Sequence, residues 1–237
     1  MPGTDLVSMF IAGREAPQGP VSKLLHKVGY ELPPLPNLFF TRDAAMVVNQ
    51  SVIIGAMKYA VRWTEELLMK ALFLYHPRLA NQGFIYDGSE EHRGDYTIEG
   101  GDVLILRPDL AMIGLSERSS PAAIESLVHS LREKAGVTDV IIVVLPTESP
   151  AIHLDMILTM VDREHCVVYP PYFLGPARLP ILHYTAGAAS VREHADLFAA
   201  HKPDLVIAST AGWRLDRYLL REAALHRVPS MAAIVIL

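Results

Sequence analysis

Residues 102–145 read DVLILRPDLAMIGLSERSSPAAIESLVHSLREKAGVTDVIIVVL. Two short apolar runs, Asp102 to Leu106 and Ala111 to Leu115, flank Arg107-Pro108-Asp109, the pattern of a tight hairpin. Ser120-Pro121 then opens a helix to about Ala135, with a hydroxyl cap followed by proline at the first helical position. Gly136 stops it, and Val140 to Leu145 is a continuous apolar run that reads as a buried strand. The order is strand, strand, helix, strand.

Outward from this stretch the same order returns. Upstream, the proline-rich Leu32 to Asn37 favours extended backbone. Ala45 to Ile54 is a Val- and Ile-rich strand candidate, and Met57 to Tyr75 has helical spacing, with Arg62, Glu65, Glu66 and Lys70 among its apolar positions. His76-Pro77 ends that helix. Downstream, Asp155 to Val161 and Cys166 to Tyr169 form a strand pair around Asp162-Arg163-Glu164. Val191 to Ala200 reads as helix, Leu205 to Ala208 as strand, Leu215 to His226 as helix and Ala232 to Leu237 as strand. A doubly wound fold gives one strand per helix; tandem ββαβ units predict a blade-like α/β arrangement instead. Residues 1–35, broken by prolines and glycines, read as an irregular N-terminal segment, and residues 36–237 as the domain.

Composition bounds the function. Of 237 residues 51% are apolar and 20% charged, a globular balance. The formal charge of −5 is spread without a basic stripe, which argues against a nucleic-acid partner. No apolar run reaches the roughly 18 residues of a membrane span, and the start lacks the pattern of a secretory signal. The single cysteine, Cys166, excludes an internal disulfide framework and points to a reducing cytoplasm.

Four clusters could carry chemistry: Asn37 to Asp43 (NLFFTRD), Ile98 to Val103 (IEGGDV), Gly114 to Arg118 (GLSER) and His153 to Asp155 (HLD). Alone, each has a plain structural reading: an ion-paired turn, a glycine turn before a strand, or a chance His-x-Asp on one strand face. Combined, Asp43, Glu99 and Asp155 fall at predicted strand edges, accompanied by His153. Carboxylates converging on one pocket need a cation. A metal is one candidate. A guanidinium is the other, planar and with five donors in a fork that suits paired carboxylates. No recognised metal spacing is present, which favours the guanidinium, although spacing alone does not decide.

PNLFFTRD, IEGGDVLIL, IGLSERS and HLDMILTMVD, in this order and at these separations, resemble the successive signature segments of the arginine deiminase family. The resemblance runs from about Leu32 to Pro171 and more weakly to Ser209. It implies the pentein fold of the guanidino-group-modifying enzymes, an α/β propeller of ββαβ units, here with three to four blades and truncated at both ends. It further implies hydrolysis of L-arginine to citrulline and ammonia through a thiol-linked amidino intermediate, with no metal and no organic cofactor.

Residue by residue, Asp43 and Asp155 match the acids that grip the guanidinium, and Glu99 and His153 the catalytic acid/base pair. Asn37, Phe40, Arg62 and Arg118 match positions around the amino-acid end of the substrate. The family's nucleophile is a cysteine near its C-terminus. Cys166, directly after the HLD strand, reads instead as a small apolar residue in a buried strand. The expectation is a hydrolase that needs a complementing chain or a homo-oligomer. The alternative is an inactive arginine-binding or assembly protein.

Overall fold

The computed structural model describes residues 3–24, 29–79, 83–90, 96–147, 151–162, 165–173, 178–185, 188–192, 205–208 and 230–232. The chain divides into two units, Met1–Gly100 and Gly101–Leu237.

The first unit begins with α1 (Gly3–Ala12), β1 (Arg14–Glu15), α2 (Pro20–Leu24) and β2 (Tyr30–Leu32), with β1 antiparallel to β2. The expectation that residues 1–35 are irregular is therefore corrected. After Gly3 the run TDLVSMFIA contains no glycine or proline, so nothing interrupts a helix, although α1 buries no residue. There follow α3 (Thr41–Ala44), β3 (Ala45–Val48), β4 (Ser51–Ile54), α4 (Trp63–Tyr75) and β5 (Phe84–Asp87). The strand expected over Ala45 to Ile54 is in fact a hairpin. Asn49 takes φ 56°, a left-handed conformation asparagine tolerates, and folds β3 against β4. Pairing is antiparallel between β3 and β4 and parallel between β4 and β5. Strand β5 was not foreseen from sequence. Ala45, Val52 and Ile54 form a small core under Met69 and Phe73 of α4.

The helix expected from Met57 starts later. A 3-10 turn over Ala60–Arg62 precedes α4. The amide of Met57 donates to Glu66 Oε1 at 2.7 Å and that of Lys58 to Glu99 Oε1 at 2.8 Å. These side-chain acceptors hold the backbone outside the helical ladder.

The second unit opens with β6 (Val103–Arg107), β7 (Leu110–Leu115), α5 (Pro121–Lys134) and β8 (Asp139–Val144), the arrangement read from residues 102–145. Strands β6 and β7 are antiparallel, and β7 and β8 parallel. Ser120 Oγ accepts from the amide of Ala123, and Gly136 takes φ 71° beyond the helix end. Next come β9 (Leu158–Met160), β10 (His165–Val168), β11 (Ile181–Thr185), β12 (Ala188–Arg192), β13 (Leu205–Ala208) and β14 (Ser230–Ala232). One sheet runs β12-β11-β8-β7-β6, the other β14-β13-β10-β9. Again two strands, β9 and β10, pair antiparallel before a parallel partner, β13. Met112, Ile141, Val143, Leu154 and Leu158 lie at the centre of this unit's core.

Val191 and Arg192, expected in a helix, belong to β12, which pairs residue for residue with β11. Residues 193–200, the expected helix from Leu215 to His226, and residues 233–237 lie outside the described residues. The strand expected from Asp155 is shorter because a 3-10 turn takes Leu154–Met156. Among the described residues no helix is long and apolar enough to cross a membrane.

Leu127 lies fully buried on the sheet-facing side of α5, whereas Glu125 is exposed. Leu127→Ala should cost about 2–5 kcal/mol in urea unfolding, and Glu125→Ala less than about 0.5 kcal/mol. Equal costs would contradict this packing.

Candidate functional site

In the first unit the polar core is built around Arg62, at the end of the 3-10 turn that leads into α4. Its Nε donates to Glu65 Oε1 and its Nη2 to Glu65 Oε2, both at 2.8 Å, a side-on bidentate pair. Its Nη1 donates to Asp43 Oδ2 at 3.0 Å and stands 3.8 Å from Glu99 Oε2. Glu65 and Glu99 are fully buried, and Asp43 nearly so. Burial works against the Arg62 charge, but the hydrogen bonds to Glu65 and Asp43 outweigh it and raise the pKa further. The cation that faces these acids in the structure is the chain's own Arg62 guanidinium.

Local structure explains how acids come to be buried here. Glu65 and Glu66 occupy the first turn of α4, where the helix dipole favours negative charge. Asp43 sits in α3, two residues before β3. Glu99 directly precedes the 3-10 turn Gly100–Asp102 that leads into β6. Gly100 is required there, because a Cβ would overlap the carbonyl of Arg42, whose own Nε donates to the Gly100 carbonyl at 3.1 Å. Asn37 and Phe40 lie at the surface: Asn37 Oδ1 accepts from the Phe39 amide, and the Phe40 carbonyl from the Asp43 amide.

In the second unit one buried carboxylate, Asp102, ties together three of the sequence clusters. Its Oδ2 accepts from Ser116 Oγ and Ser119 Oγ, both at 2.6 Å, and its Oδ1 from the amide of Leu154 at 2.9 Å. Ser116 Oγ in turn accepts from the Arg118 amide at 3.0 Å, fixing the loop that carries Arg118. The half-buried Arg118 side chain donates from Nε to Glu117 Oε1. His153 immediately precedes Leu154 and is itself buried. Its ring packs closely against Gly101, where a Cβ would come within 2.6 Å of the imidazole.

The sequence placed His153 and Asp155 on one face of a strand. Instead His153 is extended and Asp155 lies within the 3-10 turn Leu154–Met156, half-buried, with its carbonyl accepting from Thr159 Oγ1 at 2.7 Å. Cys166 is half-buried in β10, and burial pushes its thiol pKa up, opposite to what a nucleophile needs.

Three residues were missed from sequence. Glu65 lies one helical turn beyond Arg62, a spacing that signals an ion pair. Glu66 is named in the helix candidate but given no role there. Asp102 was quoted as part of IEGGDV but given no role.

Burial raises Asp102 to about 6 from its ordinary 3.8, against the opposing pull of its serine hydrogen bonds and the His153 charge. The folded form therefore binds a proton more readily than the unfolded chain. Stability contributed by this group is present below the unfolded value and lost as pH rises through about 6. Between pH 7.5 and pH 5, native protein should gain on the order of 1 kcal/mol relative to Asp102→Asn in urea melts. A difference that stays constant, or that moves against the native protein toward acid, would contradict a raised pKa for Asp102.

The family model for arginine deiminase matches residues 6–204. The chain is similar to the arginine deiminase of Levilactobacillus brevis, with 37% identity over 137 residues, covering 58% of this chain and 33% of that protein. It is 32% identical to that of Rhodococcus jostii over 72% of this chain and 43% of the relative, and 33% identical to that of Listeria welshimeri over 70% and 42%. The chain thus spans less than half the length of these relatives.

Among solved structures it is similar in fold to a dimethylarginine dimethylaminohydrolase adduct with S-methyl-L-thiocitrulline, at TM-score 0.50 and 18% identity, covering 84% of this chain and 72% of that one. It is likewise similar in fold to the N-terminal domain of ArgZ covalently bound to a reaction intermediate, at TM-score 0.50 and 18% identity over 83% and 68%. With mixed α/β structure of this kind and a family match over most of its length, the chain belongs to the arginine deiminase family.

Proposed function

We propose that this chain binds the guanidinium group of L-arginine and supplies the acid and acid/base groups of an arginine deiminase-type hydrolysis. The observation that carries the proposal is the Arg62 clasp: Asp43 and Glu99 are buried at a guanidinium, with one oxygen of Asp43 hydrogen-bonded to it. Acids so arranged select a flat, permanently charged cation.

In this reading Asp43 and Asp155 grip the substrate guanidinium, and Glu99 orients it and helps move protons. His153 protonates the departing ammonia and later takes a proton from water. A thiolate forms a bond to the guanidinium carbon as the carbon–nitrogen bond to ammonia breaks. Water then cleaves the carbon–sulfur bond, giving citrulline and returning the thiolate. Asn37, Phe40, Arg62 and Arg118 serve the amino-acid end of the substrate. No metal or organic cofactor takes part.

Half-buried and with its pKa raised, Cys166 is a poor candidate for the thiolate, so in this reading the nucleophile is not among these 237 residues. The ββαβ order of β3-β4-α4-β5 and of β6-β7-α5-β8, with β9, β10 and β13 paired in the same sense, supports a pentein-type α/β propeller of three to four blades over residues 36–237. A reducing cytoplasm suits its free cysteine. The same cysteine placement favours a second reading, an inactive arginine-binding or assembly protein.

Calorimetric titration with L-arginine and a citrulline assay test both readings. The native chain should bind L-arginine, and Asp43→Asn should weaken it roughly tenfold to hundredfold, the worth of one charge-assisted hydrogen bond. Binding that Asp43→Asn leaves unchanged would overturn the guanidinium assignment. Citrulline formed by the pure chain, and lost in Cys166→Ala, would overturn the placement of the nucleophile.

A further inference from the structure

We propose that Arg62 competes with a guanidino ligand for Asp43, so that the ligand binds by displacing the chain's own guanidinium. This rests on the guanidinium-binding reading of Asp43 and Glu99 given above.

The guanidinium of Arg62 is held by two different grips. The edge formed by Nε and Nη2 is taken side-on by Glu65, three residues along the chain and fully buried. That hold is local to the start of α4. The remaining nitrogen, Nη1, reaches out to Asp43, 19 residues away in sequence, and toward Glu99. It therefore sits on the carboxylate that a ligand's guanidinium would take. Two guanidinium groups on one buried carboxylate repel each other in a medium that screens charge poorly, so occupation by one weakens the other. Glu65 gives Arg62 a place to remain once Nη1 leaves Asp43.

Competition predicts something that a role in meeting the substrate carboxylate does not. If Arg62 only met the carboxylate, removing it would weaken L-arginine and leave agmatine, which has no carboxylate, unaffected. If Arg62 also occupies Asp43, removing it vacates the oxygen that Nη1 takes, and agmatine binds more tightly. L-arginine loses a partner for its carboxylate and gains access to that Asp43 oxygen. The chain would thus discriminate against decarboxylated ligands partly by making them break an internal ion pair without compensation.

The test is calorimetric titration of the native chain, Arg62→Gln and Arg62→Lys with agmatine and L-arginine, with folding of each checked by circular dichroism. Arg62→Gln should bind agmatine about tenfold more tightly than the native chain does, the scale of one charge-assisted hydrogen bond. Arg62→Lys keeps a counter-charge for the buried acids and serves where the glutamine variant does not fold. A single ammonium lacks the fork that spans Glu65 and Asp43, so agmatine should again tighten. If agmatine binding is unchanged or weaker in the folded variants while L-arginine still binds the native chain, competition is overturned and the guanidinium-binding reading stands. If neither ligand binds the native chain or any variant, that reading fails and the competition with it.

Discussion

Taking carboxylates out of water is the constraint around which the first unit is organised. An unpaired buried carboxylate is costly enough that it either finds a cation or takes up a proton. Here Asp43, Glu65 and Glu99 find Arg62, and the surrounding backbone is arranged to keep them there. The late start of α4, the side-chain acceptors of the Met57 and Lys58 amides and the close approach at Gly100 all follow from packing polar groups where a small core would otherwise have been apolar. Part of that core's stability is spent on keeping charge in place.

The second unit solves a related problem with one carboxylate. Asp102 has no guanidinium against it in the hydrogen bonds described; two hydroxyls and one amide satisfy it. Neutral donors stabilise a carboxylate less than a cation does, and burial raises the Asp102 pKa in spite of them. In exchange it fixes the loop of Arg118 and the backbone beside His153 from a single point.

Much of this was legible in the sequence, because hairpins, caps and helical stops are local. Residues 102–145 fold as read, since Arg107-Pro108-Asp109, Ser120-Pro121 and Gly136 each act through their own backbone. A similar rule ties the site to the fold: Asp43, Glu99 and Asp155 each stand in or beside a short helical turn just before the first strand of a hairpin, at β3, β6 and β9. The sequence placed them at strand edges, close to this but not within turns.

What could not be read depended on which partners the fold brings together and which groups it buries. The Ala45–Ile54 run hides a hairpin because Asn49 lacks the glycine that usually marks one. Glu65 stands at ion-pair spacing from Arg62, but nothing in the sequence marks it as buried, nor Glu66 as the acceptor of the Met57 amide. Arg62 was expected to await a substrate carboxylate, and its ion pair with Asp43 links positions that no periodicity connects.

A crystal structure of the native chain with L-arginine bound tests the central claim most directly. The account predicts the ligand's guanidinium on Asp43, with Arg62 Nη1 drawn off that carboxylate and Glu65 still paired to the other edge. L-arginine found elsewhere, with the Arg62–Asp43 contact intact, would contradict it.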